Sequence, residues 1–134
     1  MQNCYYRRNR RKYNLKTHIV LVTKYRKRLL QNGIDEFVKK AINYLAEQNH
    51  WDIIAMETDK DHIHILLEYD ANERICDIIC TIKQRTTHWL WIRYKTLLSR
   101  HYWKKHTFWS DGYFACSIGE VSSATIEKYI AEQG

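Results

Sequence analysis

Two short apolar runs in the middle of the chain constrain the fold most strongly. Residues 51–58 (WDIIAMET) and 62–69 (HIHILLEY) are rich in β-branched and other apolar side chains, and the polar link 59–61 separates them. Two such runs joined by a short polar link are typical of a β-hairpin. An antiparallel pair of strands is therefore predicted here, and the other elements must pack around it.

Elements on both sides of this hairpin can be predicted from the same kind of pattern. Residues 18–23 (HIVLVT) are typical of a buried strand, and they lead into a basic turn at residues 24–28. Apolar pairs recur every four residues from 34 to 49, which predicts an amphipathic helix. Isoleucines at helical spacing from Ile75 start a second helical region, which is predicted to persist through Trp103 with at most one break.

The last part of the chain adds a strand and a helix. A loop at residues 110–112 precedes a predicted strand at 113–118, and Ser122 or Ser123 can cap a helix that runs to Gln133. The order strand, helix, strand, strand, helix, strand predicts an α+β fold of the ferredoxin-like (RRM-like) type. This fold is an antiparallel sheet with helices on one face, here followed by a C-terminal helix that carries a tyrosine.

The composition limits the class of protein. The 134 residues, 45% of them hydrophobic, suit one domain, 1–134, in which residues 1–12 form a mobile basic arm. That arm is either a solvated tail or a phosphate contact. The 22 Lys and Arg against 15 Asp and Glu give a net charge of +7, which favours a polyanionic partner such as nucleic acid.

The sequence also indicates where the protein acts. No apolar run approaches the roughly 18 residues that a membrane span needs, so no membrane association is predicted. No secretory apolar segment follows the basic start, and the four cysteines form no CxxC pair. A soluble, cytoplasmic protein without a disulfide framework is predicted.

The hairpin also carries the first candidate site. Because side chains alternate across a strand, His62 and His64 share one face, roughly 6–7 Å apart along it. Ile63 and Ile65 take the other face, which is expected to meet the helices. Two imidazoles on one face can hold a divalent ion, although a pair of half-exposed strand residues is the simpler alternative.

A second candidate pair lies in the last helix. Tyr129 and Gln133 are four residues apart, so they share one face of that helix. Tyr129 offers a phenol as a nucleophile, and Gln133 offers an amide oxygen as a neutral third metal ligand. Surface decoration is the alternative interpretation of this pair.

Four segments together resemble a known family. The chain resembles the HUH-superfamily single-tyrosine transposases of bacterial insertion sequences, of the IS200/IS605-like type, which move single-stranded DNA. The resemblance covers nearly the whole chain and rests on HIVLVTKYRKRLL (18–30), DHIHILLEY (61–69), FWSDGYFACSIG (108–119) and IEKYIAEQ (126–133). It implies that His62, His64 and Gln133 bind Mg²⁺ or Mn²⁺ and that Tyr129 forms a 5′-phosphotyrosyl link to DNA.

The resemblance also implies partners. It implies single-stranded DNA with hairpins at the element ends, and a homodimer in which each tyrosine helix reaches the histidines of the other chain. The residues alone leave open whether that helix docks on its own sheet or on a neighbour's. The residues that can track a DNA backbone, with Tyr25 stacking on a base, are Lys24, Tyr25, Arg26, Lys27, Arg28, Lys83 and Arg85. A merely solvated basic surface is the alternative.

Two rival functions stay open at this stage. One is a replication or conjugation nickase with the same site, and the other is a non-catalytic ferredoxin-like nucleic-acid binder. The aromatic residues are expected in the core or at an interface rather than on a DNA platform; they are Trp89, Trp91, Trp103, Phe108 and Trp109. His18, His88, His101 and His106 lack paired geometry and receive no role.

Overall fold

The computed structural model describes residues 14–117 and 130–132. The elements in chain order are β1 (Leu15–Val22), α1 (Ile34–Asn49), β2 (Asp52–Thr58), β3 (His62–Tyr69), α2 (Ile75–Arg93), α3 (Lys95–His101) and β4 (Phe114–Ser117). A single 3₁₀ turn (Lys24–Arg26) follows β1. Residues 130–132 are helical.

The four strands form one antiparallel sheet in the order β2-β3-β1-β4. The hairpin of β2 and β3 thus lies beside β1, and β4 covers the other edge of β1. Side chains from one face of β1 and β3 pack into a single core with side chains of α1 and α2. The ferredoxin-like fold, with its helices on one face of the sheet, is therefore confirmed.

Most element boundaries agree with the sequence prediction, and the differences have local causes. The α1 helix and β3 have the predicted bounds. β1 begins at Leu15 instead of residue 18, because residues 15–17 pair with the end of β3. Trp51 precedes β2 instead of starting it: its indole is buried and Nε1 donates to Glu73 Oε1 at 3.0 Å. The single break expected in the second helical region falls at Tyr94.

The aromatic residues divide between core and surface. Trp91, Phe108 and Trp109 are buried, and Trp89 is partly buried against the core. Trp103 is not in the core: its side chain is 75% exposed, because it follows the end of α3 in a segment without regular structure, and its expected alternative, an interface, stays a prediction.

Within the described residues, no helix is long and apolar enough to cross a membrane.

The C-terminal helix is described only at residues 130–132. Ile130 is 7% exposed and packs against Val20 and Val22 of β1, with Phe114 of β4 beside them. Val20 and Val22 are paired with His64 and His62, so Ile130 covers the sheet face that the helices leave open. The basic arm at residues 1–12, Ile118, Tyr129 and Gln133 lie outside the described residues.

Candidate functional site

The two histidines of β3 share the open face of the sheet. Ile63 and Ile65, which alternate with them, are fully buried in the core with the helices. His62 and His64 are partly buried, and their ring centroids lie 4.8 Å apart with an angle of 76° between the rings. The alternation of β3 therefore brings two imidazoles together on the face that Ile130 also covers.

Asp61 holds the ring of His62. Its Oδ1 lies 2.8 Å from His62 Nδ1, and its Oδ2 accepts a hydrogen bond from Arg26 Nε at 2.9 Å. Burial acts to raise the pKa of Asp61, but the hydrogen bonds from His62 and Arg26 outweigh it and hold that pKa below its ordinary value. A carboxylate beside Nδ1 orients the ring, and Nε2 is the other ring nitrogen that a histidine can offer to a ligand.

His18 plays the corresponding part beside His64. His18 Nε2 lies 3.3 Å from His64 Nδ1, and the two ring centroids are 5.4 Å apart. Burial lowers the pKa of both side chains, and for His64 the neighbouring His62 and His18 lower it further. Both rings are therefore held in the neutral form, which is the form that binds a metal ion.

The described residues place two imidazoles, a side chain type that ligates metal ions, next to each other. Among residues 14–117 and 130–132, no group of three His, Cys, Asp or Glu side chains is arranged to hold a metal. Two imidazoles on an accessible sheet face nevertheless fit a divalent ion that takes its other ligands from elsewhere. A cavity of about 290 Å³ adjoins His64 and His18 on this face. Gln133 and Tyr129 lie outside the described residues.

The basic turn after β1 has an unusual backbone. Tyr25 and Arg26 adopt φ values of 62° and 53°, in the left-handed region that side chains seldom occupy. Thr23 Oγ1 donates to Lys27 O at 2.6 Å, and Tyr102 Oη donates to Lys24 O at 2.9 Å. These two bonds brace the turn while the side chain of Tyr25 stays 66% exposed. Strained residues that surrounding contacts hold in place are concentrated at functional sites.

The cations predicted to follow DNA have different surroundings. Lys24 Nζ pairs with Asp111 Oδ1 at 3.2 Å, and Arg26 pairs with Asp61. Lys83 Nζ donates to the carbonyl oxygens of Asp111 and Gly112. The guanidinium of Arg85 lies 4.6 Å from the centroid of the Trp89 ring. Lys24 and Lys83 thus meet at the same loop, whereas Arg85 packs on its own helix.

Sequence reasoning missed Asp61 and His18 as parts of the site. Asp61 appeared only as a polar residue of the hairpin link, although its position next to His62 was visible. His18 received no role because its relation to His64 depends on the register of β1 against β3, in which Val20 is paired with His64. Strand alternation then places His18 on the face of the histidine pair.

The site is thus a histidine pair on the open face of a four-stranded ferredoxin-like sheet, linked through Asp61 to Arg26 of the basic turn. The chain belongs to the family described as Transposase IS200 like, whose sequence profile it matches over residues 11–133. It is therefore a DNA transposase.

Known proteins with similar sequences or structures agree with this family. The chain is 28% identical over 121 residues to the ISDra2 transposase TnpA of Deinococcus radiodurans. The alignment covers 90% of this chain and 85% of that protein. A crystal structure of a putative transposase from Deinococcus radiodurans superposes with a TM-score of 0.82 at 26% identity, over 90% of this chain and 92% of that chain.

A more distant structure shares the fold. A REP-associated tyrosine transposase bound to a REP hairpin superposes with a TM-score of 0.57 at 13% identity, over 87% of this chain and 62% of that chain.

Proposed function

We propose that this transposase cleaves and rejoins single-stranded DNA at the ends of an insertion sequence through a 5′-phosphotyrosyl intermediate on Tyr129. The observation that carries the proposal is the histidine pair of β3, held by Asp61 and His18 on the open face of the sheet. Neither contact is needed to build the hydrophobic core. Both engage the same ring nitrogen, Nδ1, and leave Nε2 out of these contacts.

The proposed metal site consists of His62, His64 and Gln133. With Nδ1 of each imidazole engaged, Nε2 of His62 and of His64 remains for ligation. Gln133 supplies an uncharged amide oxygen as the third donor. Mg²⁺ or Mn²⁺ is the proposed ion, and when bound it neutralises charge on the scissile phosphate and orients that group for in-line attack.

Tyr129 is the proposed nucleophile. A free tyrosine has a pKa of about 10, so its phenol must lose a proton as it attacks. The phenolic oxygen forms a bond to phosphorus, the bond from phosphorus to the 3′-oxygen breaks, and the departing oxygen takes up a proton as a 3′-hydroxyl. Because the phosphotyrosyl bond replaces one phosphate ester with another, a second 3′-hydroxyl can attack it and rejoin DNA without ATP.

The proposed substrate is single-stranded DNA that carries hairpins. The exposed ring of Tyr25, on its braced turn, suits stacking on an unpaired base. Lys27 and Arg28 of the same turn, with Lys24, Lys83 and Arg85, are the proposed backbone contacts, and Arg26 acts through Asp61. The REP hairpin in the distant structural relative is consistent with a hairpin substrate.

We propose a homodimer in which each Tyr129 serves the histidines of its partner. Ile130 packs on Val20, Val22 and Phe114 of its own chain, so this chain can dock the tyrosine helix on its own sheet. Both copies in a dimer have this apolar contact surface, so the tyrosine helix of one copy would pack equally well on the sheet of the other.

The nucleophile can be tested with single-stranded DNA from the flanks of the gene and Mn²⁺. The wild-type protein should form a covalent adduct that survives denaturing electrophoresis. Tyr129→Phe should form none while it binds the same DNA with unchanged affinity. The matched control is Tyr44→Phe, an exposed tyrosine on α1. An adduct in Tyr129→Phe would remove Tyr129 as the nucleophile.

The metal site can be tested without measuring cleavage. Electron paramagnetic resonance should detect Mn²⁺ bound to the wild-type protein and much weaker binding in His62→Ala and His64→Ala. EDTA should abolish adduct formation. Cleavage that continues undiminished in EDTA would overturn the metal proposal.

The shared arrangement can be tested by mixing subunits. Exchange of His64→Ala with Tyr129→Phe subunits should restore one active site, made from the intact histidines of one chain and the intact tyrosine of the other. If mixed dimers stay inactive while wild-type dimers treated in the same way cleave, Tyr129 acts on its own chain.

A further inference from the structure

A second cavity lies on the helical side of the molecule, apart from the histidine face. It has a volume of about 530 Å³ and opens between α2 and residues 105–111. This volume is within the range of roughly 300–1,000 Å³ that small-molecule sites occupy. Its lining includes Lys83, His88, Trp91, Lys105, His106 and Asp111.

Two stacked rings form one wall of this cavity. The rings of His106 and Trp91 are nearly parallel, at 7°, with their centroids 4.0 Å apart. Trp91 is buried, and its Nε1 donates to Thr107 O at 2.8 Å, which fixes the indole on which His106 stacks. His106 is exposed. A fixed, exposed aromatic ring is a platform on which a nucleobase stacks.

Cations dominate the charged lining. Lys83 Nζ donates to the carbonyl oxygens of Asp111 and Gly112, and an ammonium group has a third hydrogen for a ligand. Burial lowers the pKa of Lys83, and a bound anion would offset the cost of burying its charge. Lys105 adds a second, exposed cation. The carboxylate of Asp111 is already paired with Lys24, so the lining favours a phosphate over a neutral ligand.

The cavity adjoins the end of the sheet that carries His62. Trp109, which lines the cavity, forms an isolated β-bridge with Thr23. The amide of Ser110 donates to Val22 O at 2.8 Å, and Val22 is the cross-strand partner of His62. Residues 109 and 110 therefore connect the cavity directly to the end of the sheet that carries His62.

We infer that this cavity binds one nucleotide of the single-stranded substrate away from the scissile phosphate, with the base stacked on His106 and a phosphate between Lys83 and Lys105. The inference rests on single-stranded DNA being the substrate, as proposed above. It does not depend on the metal ion or on Tyr129. Binding in EDTA can therefore test it separately from cleavage.

The stacking contact is tested by fluorescence anisotropy with a labelled single strand from the flanks of the gene. His106→Ala should weaken binding about tenfold, and His106→Phe should restore it, because either ring offers a face to a base. His50→Ala, at the exposed end of α1, is the matched control and should bind as the wild type does. Thermal melting checks that every variant is folded.

An abasic site moved along the oligonucleotide locates the bound base. For the wild type, an abasic site at one position away from the cleavage site should weaken binding about tenfold. For His106→Ala, an abasic site at the same position should weaken binding no further. A flat abasic scan, or equal losses in both proteins, would overturn the inference while leaving the proposed function intact. Failure of the wild type to bind any single strand would overturn both.

The phosphate contact is tested by salt dependence. Lys105→Ala should reduce the slope of log affinity against log salt by about 0.7, the value for one lost contact to a single strand. Lys104→Ala is the matched control, since Lys104 is an exposed neighbour outside the cavity lining. Equal slopes for Lys105→Ala and the wild type would contradict the phosphate contact.

Discussion

The two faces of β3 differ in environment and role, although their residues alternate along one strand: one face packs in the core and the other carries the candidate site. Ile63, Ile65 and Leu67 are fully buried beneath the helices. His62 and His64 face the other way and contact polar partners on neighbouring segments. The isoleucine face fixes the backbone, and the histidine face uses that fixed backbone to hold two rings at a set separation.

This division explains why a strand is suited to carry the histidines. A slip of one residue in the pairing of β3 would move its apolar side chains to the open face and bury the histidines. The core therefore enforces the register that sets the imidazoles side by side. Sites built on such rigid elements hold their geometry more closely than sites on loops.

Removal of an imidazole should give the largest change in activity. Loss of a hydrogen-bonding partner behind a metal-binding histidine costs about 10–100-fold, so loss of the proposed ligand itself in His64→Ala should cost more than about 100-fold in cleavage. The free energy of unfolding should fall by only about 1 kcal/mol or less. Gel-based cleavage rates and urea denaturation measure the two effects. A large loss of stability would show that the two faces are not separable.

The opposite face should respond in the opposite way. Ile65→Ala should lower the free energy of unfolding by about 2–5 kcal/mol, because it leaves a cavity in a fully buried site. Mn²⁺ binding per folded molecule should stay within a factor of two or so of the wild type, since the substitution leaves both imidazoles in place. Urea denaturation and titration below the unfolding transition provide the measurements. Weakened Mn²⁺ binding in folded protein would mean that this core position tunes the site directly.

Asp61 links the histidine face to the basic turn, and its removal should have an intermediate effect. Asp61→Asn keeps the size of the side chain but loses the charge that orients His62 and pairs with Arg26. Cleavage should fall about 10–100-fold, and Mn²⁺ affinity should fall with it. Asp59→Asn, in the same link, is the control, since Asp59 accepts a hydrogen bond from the amide of Lys60 instead. Equal activity of the two variants would remove the orienting role of Asp61.

The sequence predicted the buried face better than the open one, for a physical reason. Alternation and helical spacing report which side chains leave water, and that is how residues 34–49 and 62–69 were assigned with their observed bounds. Partners such as His18 depend instead on the register between β1 and β3, which no single segment encodes. The family resemblance supplied the roles of Tyr129 and Gln133, and these remain predictions.

The basic turn illustrates the same limit. Its charges suggested a surface open to DNA, but Lys24 and Arg26 each have an acidic partner, Asp111 and Asp61. Those partners are 87 and 35 residues away along the chain. The left-handed conformation of Tyr25 gave no sequence signal either, because the turn contains no glycine. Contacts between distant segments therefore determine which cations remain available to a ligand.

The smallest predicted effect concerns the hydrogen bond from Tyr102 to Lys24, which stabilises the basic turn from its buried side. Tyr102 is 4% exposed, and its hydroxyl donates to Lys24 O at 2.9 Å. Tyr102→Phe should lower the free energy of unfolding by about 0.5–1.5 kcal/mol at pH 8, the usual contribution of one hydrogen bond. Tyr44→Phe, an exposed tyrosine on α1, should change it by less than about 0.5 kcal/mol.

The effect of pH gives this hydrogen bond a signature of its own. Burial, with a smaller contribution from Tyr25, raises the pKa of Tyr102 far above its ordinary value. The phenol thus stays protonated in the folded chain at pH values at which it ionises in the unfolded chain. The contribution of Tyr102 to the free energy of unfolding is therefore complete below about pH 10 and is lost as pH rises further. The stability difference between wild type and Tyr102→Phe should therefore shrink from pH 10 upward in urea denaturation. If the stability difference between wild type and Tyr102→Phe stays constant to pH 11.5 or so, the phenol ionises equally in the folded and unfolded chains. The hydrogen bond from Tyr102 would then not stabilise the turn in the way described.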